Sequence, residues 1–364
     1  MIVKDVINHL ETLAPLNYAE DFDNVGLLVG DKSTKLKGVL VTLDTTEAVV
    51  DEAIENNCNL VVSFHPIIFK GLKRLNGSNY VERVAIKAIK HDIAIYSMHT
   101  ALDNSHIGVS AIMANKLGLT NQNILLPKKS TILKLTTYAP INEAESIKNA
   151  LFNAGAGTIG NYDNCSFATN GIGTFKANEA ANPSIGEKGK RHSEEESKIS
   201  VTFPKHLKSK VLSALFNAHS YEEVAYEIVS LENTNQNIGM GIVGVLPESA
   251  DSTSFLQDLK LKFKTPAIRH SKLLDKPIKK VALLGGSGSF AIEAAINASA
   301  DVYITADLKY HDFFRAENKI ILADIGHYES EQYTKNYLAD YLSKKITNFA
   351  IVLSMTNTNP VKYL

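Results

Sequence analysis

Lys319-Ile-Ile-Leu-Ala-Asp-Ile-Gly-His-Tyr-Glu-Ser-Glu331 reads as a strand handing over to a helix. Its first half is a short apolar run, the pattern of a strand buried on both faces of a parallel sheet. Glycine breaks the run, and His327 and Glu331 follow four residues apart, on one face of a first helical turn. Taken alone, the pair also fits a plain helix start with an acid near the positive end of the dipole. Two further apolar runs end in the same chemistry: Asn59-Leu-Val-Val leads into Ser63-Phe-His65-Pro66, and Ile93-Ala-Ile-Tyr-Ser-Met98 into His99-Thr-Ala-Leu-Asp103. The carboxyl ends of parallel strands share one crevice in an open α/β sheet, so the three clusters are expected to converge. Imidazole and carboxylate donors together suit zinc, manganese or iron, and a bridging carboxylate suits a pair of ions.

Outward from these stretches the chain alternates strand and helix. Gly38–Leu43, Leu60–Ser63 and Ile93–Met98 read as strands, and Glu47–Asn57, Tyr80–His91 and Val109–Leu117 as helices between and after them. The rhythm returns with strands at Val281–Leu284, Val302–Thr305, Ile320–Ala323 and Phe349–Leu353. Continuous apolar strands alternating with amphipathic helices imply a parallel sheet covered on both faces. The middle differs: the strand Leu133–Tyr138 precedes a helix over Glu143–Ala154, and Ser200–Phe203 precedes one over Leu207–Ala218, the order of a ferredoxin-like α+β module. Between them, Gly171 to Glu196 is rich in Gly, Asn, Pro and charge and reads as a long loop. The expected architecture is α/β: a split parallel-sheet domain, 1–125 and 246–364, interrupted by an inserted α+β module at 126–245.

Composition narrows the functional classes. The 364 residues carry a net charge of −1, which argues against a broad electrostatic grip on nucleic acid or an anionic membrane. The lysine clusters Lys262/Lys264, Lys279/Lys280 and Lys344/Lys345 lack interleaved aromatics and read as solvated faces. Cys58 and Cys165 are too few for a disulfide framework, and the N-terminal residues alternate charge with apolar side chains instead of forming a signal peptide. No apolar run approaches the roughly 20 residues of a membrane span. A cytoplasmic, soluble protein is expected.

Several motifs together resemble the family of GTP cyclohydrolase 1 type 2 homologues, the Nif-three-like proteins. They are Glu20-Asp-Phe-Asp23-Asn24-Val-Gly26-Leu, Ser63-Phe-His65-Pro66, His99-Thr-Ala-Leu-Asp103, Thr305-Ala-Asp307-Leu-Lys-Tyr-His311 and Asp324-Ile-Gly-His327-Tyr-Glu-Ser-Glu331, in family order over nearly the whole chain. The middle resembles the CutA-like, PII-like insert of the longer members through Gly155-Ala-Gly157-Thr-Ile-Gly160-Asn-Tyr, Gly173-Thr-Phe175 and Asn182-Pro-Ser-Ile-Gly186. The resemblance implies two divalent ions per subunit held by His65, Asp103, His327 and Glu331, and a toroidal homohexamer. This chain departs from the family pattern at Phe64, where a second histidine is usual and a phenyl ring cannot coordinate. His99 is the nearest replacement donor; as a reading of the residues, a buried histidine beside the site fits it equally well.

Other motifs carry two readings each. Gly285-Gly-Ser-Gly-Ser-Phe-Ala291 satisfies a loose dinucleotide fingerprint, but no separate nucleotide half-domain precedes it and Asp301 stands closer than the usual ribose-binding acid. It therefore reads as a tight turn, either one lining the crevice and touching a substrate phosphate or merely a turn. Asp307 and His311 fit either groups that orient ligands and shuttle protons or, for Asp307, a helix N-cap. Asp23 and Asn24 fit a turn. His106 reads as a loop histidine, and His219-Ser-Tyr-Glu-Glu223 as structural. Two functions follow. One is a metal-dependent hydrolase acting on a nucleotide or phosphoester, with GTP ring opening as the family label suggests and with Lys309, His311 and the Gly285–Ser289 turn facing a phosphate. The other is a non-catalytic hexameric metal-binding scaffold or sensor with a PII-like regulatory insert.

Overall fold

Val39–Thr42, Leu60–Ser63 and Ala94–Ser97 are strands of four residues with every side chain buried, which requires cover on both faces. Helices Glu47–Glu55 and Tyr80–Lys90 supply part of it. Their starts are fixed locally: the Thr46 hydroxyl accepts from Val49 N–H, and the Asn79 side chain accepts from Glu82 N–H. In this computed structural model, which describes residues 1–364, the chain divides into two units, Met1–Pro127 with Gln236–Leu364, and Lys128–Asn235. No helix is long and apolar enough to cross a membrane.

The first unit is mixed α/β, and its strands form two sheets where the sequence pattern implied one. The first sheet runs Gly26–Val29, Ala94–Ser97, Leu60–Ser63, Val39–Thr42, Ile351–Leu353. All neighbours are parallel except Gly26–Val29 on the edge. The second runs Arg269–His270, Ile321–Asp324, Val302–Ala306, Ile278–Ser287, Gly239–Ala250, Thr120–Pro127. Only its three central strands are parallel to one another. The antiparallel strands Gly239–Ala250 and Thr120–Pro127 escaped the sequence reading because their half-buried, partly exposed faces break up any apolar run. Gly239–Ala250 pairs with Ile278–Ser287 and so belongs to this unit, beyond the end of the second unit at Asn235. Buried side chains such as Val41, Val62, Tyr96 and Leu342 fill one cluster, and Ile242, Leu283, Ile304 and Ala323 another.

The second unit is described by itself. Its strands lie in the order Phe167–Lys176, Arg191–Pro204, Ile132–Pro140, Tyr226–Leu231, all antiparallel. Helices Ala144–Asn153 and Lys208–Ala218 pack through Ile147, Leu151, Val211 and Leu215 onto Leu133, Leu135, Ile199 and Phe203. The expected long loop over 171–196 is in part a hairpin: residues 171–176 and 191–196 belong to two paired strands, and the segment between Lys176 and Arg191 connects them. Phe167–Lys176 exposes nearly every residue, so no buried face printed an alternation into the sequence.

Candidate metal centre

The parallel strands of the first unit deliver the chemistry at their carboxyl ends. Thr42 is followed by Asp44, Ser63 by His65, Ser97 by His99 and Asp103, Ala306 by Asp307, and Asp324 by His327 and Glu331. One ligand atom each from His65, His327 and Glu331 lies within 4.8 Å of the others. Glu331 Oε2 stands 3.1 Å from His65 Nε2 and 3.2 Å from His327 Nε2. Two donors on one tetrahedral zinc, at roughly 2.1 Å each, sit about 3.4 Å apart, so these spacings fit a shared ion. Glu331 Oε2 is buried and meets neither nitrogen in hydrogen-bonding geometry, leaving a carboxylate oxygen whose natural complement is a cation.

Each histidine is braced from behind by a carboxylate on Nδ1. His65 meets Asp44 at 2.8 Å, His99 meets Asp23 at 2.9 Å, and His327 meets Asp307 at 2.7 Å. Such a partner fixes the tautomer and would turn Nε2 toward a bound ion. The carboxylates are held in turn: Thr358 Oγ1 donates to Asp44 at 2.6 Å, Thr100 N–H and Oγ1 donate to Asp23, and Ser287 Oγ donates to Asp307. The His65 ring centroid lies 5.3 Å from that of His99 and 5.5 Å from that of His327. His99 sits at φ 22°, a backbone conformation that a non-glycine residue adopts at a cost, as happens where geometry serves a site.

The electrostatics are those of a site awaiting positive charge. Burial alone would lower the His65 imidazole, but the charges of Glu331 and Asp44 prevail and raise it to about 10. Burial likewise opposes the His327 imidazole, which Asp307 and Glu331 lift to about 11. Glu331, pushed up by burial, is pulled down to about 2 by the two facing imidazoles. Burial, then the Glu331 charge, raises Asp103 well above the usual carboxylate range. A divalent ion would relieve that repulsion directly.

A cavity of about 270 Å³ opens at this point, lined among others by His99, Asp103, Gly286, Phe290, His327 and Glu331. Gly285, Gly286 and Ser287 form one wall. Gly286 has φ +69°, and a Cβ there would stand 2.4 Å from Glu331 Oε1. Its N–H is committed to Ser330 Oγ at 2.9 Å and is not offered to a phosphate. Asp301 is likewise occupied, accepting from Lys279 and Lys280 N–H and pairing with Lys276. Lys309 and His311 are exposed and do not line the cavity; His311 stacks edge-on against Tyr310 instead. Asp307 is no N-cap here, its carboxylate being spent on His327 and Ser287. Phe64 is fully buried, its ring centroid 4.8 Å from that of His65. Asn24 holds a loop through Ile68 O, and His106 N–H bonds to Asn237 O away from the site.

Comparison with known proteins places this arrangement. Residues 1–360 match the model of the family described as Duf34/NIF3 (NGG1p interacting factor 3). The chain belongs to that family. A Bacillus subtilis relative named GTP cyclohydrolase 1 type 2 homolog is 35% identical over 370 residues, covering 99% of this chain and 98% of the relative. A Listeria monocytogenes relative of the same name is 37% identical over 97% of this chain and 96% of its own length. Among solved structures, a Bacillus cereus protein related to NIF3 superposes with a TM-score of 0.85 at 34% identity, covering 100% of this chain and 99% of its own. A Staphylococcus aureus protein does so with 0.79 at 30%, with the same coverage. The Duf34/NIF3 frame thus runs through both units.

Proposed function

We propose that this Duf34/NIF3 chain is a divalent-metal protein whose ions, two per subunit, are held by His65, Asp103, His327 and Glu331, with His99 as the further donor where Phe64 supplies none. The observation that carries the reading is the convergence of His65, His327 and Glu331 within 4.8 Å, each imidazole braced by its own carboxylate. Zinc, manganese and iron all suit imidazole and carboxylate donors. Bound there, the ions supply Lewis acidity and an activated water, the chemistry of a hydrolase. Asp44 and Asp307 set the two imidazoles, Gly286 gives Glu331 its space, and Thr100 and Ser287 line the wall with their hydroxyls donated to Asp23 and Asp307.

A metal-dependent hydrolase is the reading this geometry favours. GTP itself is poorly matched, because the cavity wall carries no lysine or arginine and the glycine turn's Gly286 N–H is already used. A smaller phosphoester or amide places less charge there. A non-catalytic metal scaffold is favoured by one observation, the buried Phe64, which leaves the first strand-end pair with a single imidazole. We further infer that the second unit, with its β-α-β-β-α-β order and antiparallel 2-3-1-4 sheet, is a ferredoxin-like insert of the PII type, and that the chain assembles as a homohexamer, measurable by light scattering.

Elemental analysis of protein purified without chelator tests the metal reading. Close to two ions per chain are expected, lost in His65→Ala. Protein that neither carries nor takes up a divalent ion sinks the proposal. A single ion that becomes two in Phe64→His moves the balance to the scaffold.

A further inference from the structure

The second unit contains a cavity of its own, about 340 Å³, at the small end of the range for small-molecule sites. It lies beside the Phe167–Lys176 and Arg191–Pro204 hairpin and owes nothing to the metal centre. Three half-buried aromatic rings, Tyr138, Phe175 and Tyr221, line it together with the carboxylates of Glu196, Glu222 and Glu223. The Phe175 and Tyr221 centroids are 6.2 Å apart. Lys176 is the only basic residue in the lining, and its side chain is exposed.

The acids are not neutralised from within. None of the three forms an ion pair with lysine or arginine. Glu196 accepts from the Tyr221 hydroxyl at 2.8 Å, and Glu222 from Asn182 N–H at 2.6 Å. Gly173 leaves the space that Glu196 occupies, since a Cβ there would stand 2.0 Å from its Oε2. The negative field reaches the Tyr221 hydroxyl, which burial first and then Glu196, Glu194 and Glu143 hold well above the ordinary phenol range. One ring already engages an ammonium: Lys198 Nζ sits over the Tyr138 ring, 5.8 Å from its centroid. Aromatic faces and unpaired carboxylates around one small cavity select for a cation with apolar substituents, which gains from ring and charge at once.

We propose that this cavity binds a small organic cation, an ammonium group carried on an apolar body. An anion meets three carboxylates there, and a neutral molecule forgoes the charge.

The test is calorimetric titration of the full-length protein with benzyltrimethylammonium, beside benzyl alcohol, benzoate and magnesium ion as separate probes. Saturable binding of benzyltrimethylammonium alone is expected, weakened roughly tenfold by Phe175→Ala and by the double substitution Glu222→Gln, Glu223→Gln. Both glutamates are exposed, so the double variant keeps its core, and its metal content should match that of the parent. Binding of benzyl alcohol or benzoate as tight as that of the cation overturns the proposal. So does binding of magnesium alone, silence of all four probes at millimolar concentration, or unchanged affinity in the variants.

Discussion

His65 with Glu331 in the first unit and His219 with Tyr221 in the second are built from similar residues and put to opposite uses. His219 spends both ring nitrogens on its surroundings, Nε2 on Tyr138 O at 2.9 Å and Nδ1 on Tyr221 N–H at 3.1 Å. A nitrogen that accepts from one amide while its partner donates to a carbonyl is a fixed neutral tautomer with nothing left for an ion. His65 and His327 each spend one nitrogen on a carboxylate and point the other at Glu331 Oε2. The difference lies in what stands behind the ring. A carboxylate behind one nitrogen orients the ring and raises its basicity while leaving the other nitrogen open, whereas the carbonyl and the amide around His219 occupy both.

The sharpest way to break this comparison is to remove the shared carboxylate. Glu331→Gln should abolish stoichiometric metal while the secondary structure persists, read by elemental analysis with circular dichroism; retained metal would mean that the three atoms are not ligands. Asp44→Asn keeps the ring but weakens its brace, and metal affinity should fall roughly 10–100-fold in a competition titration against a chelating dye. The same substitution logic applied to His219 should leave metal content untouched. There, His219→Ala should lower stability by about 1 kcal/mol in a denaturant titration, because the half-buried Tyr138 O and Tyr221 N–H lose this partner.

A pH experiment sharpens the same contrast. With His65 raised to about 10 and His327 to about 11, both rings carry a proton near neutrality in metal-free protein. Raised histidine values contribute stability that is complete below the unfolded value of about 6.5 and is lost as pH climbs through 10 to 11. Metal binding runs the other way: the protons must leave, so affinity should rise with pH, and calorimetry in buffers of differing ionisation enthalpy should detect proton release. No release on saturation would contradict the ligand assignment. The smallest effect is expected at Thr358→Val, which removes one hydrogen bond to Asp44 and should lower metal affinity by a few-fold at most.

Much of the candidate site was legible because donor groups at parallel strand ends obey one geometric rule. His65, Asp103, His327 and Glu331 all follow buried apolar runs; His65, His327 and Glu331 meet within 4.8 Å, while Asp103 lines the cavity beside His327 and Glu331. Asp44 obeys the same rule, standing two residues after the buried strand Val39–Thr42, and passed unnoticed because no histidine accompanies it. Asp23 and Asp307 carried competing turn and cap readings that only distance could settle. What stayed illegible in the fold was exposed or antiparallel. The hairpin from Phe167 to Pro204 has no buried stripe along its first strand, and the pairing of Gly239–Ala250 with both Thr120–Pro127 and Ile278–Ser287 leaves no local mark in any of the three.

The hydroxyl of Thr358 that steadies Asp44 lies 314 residues farther along the chain. A ribosome therefore releases His65 and Asp44 long before the group that locks them has been made, and Glu331 also emerges late. On the proposed function, an ion met during synthesis would find at most a fragment of the site, so loading would belong to the finished protein. For anyone producing this chain, the practical corollary is to place purification handles at the N-terminus, away from the tail that hydrogen-bonds Asp44.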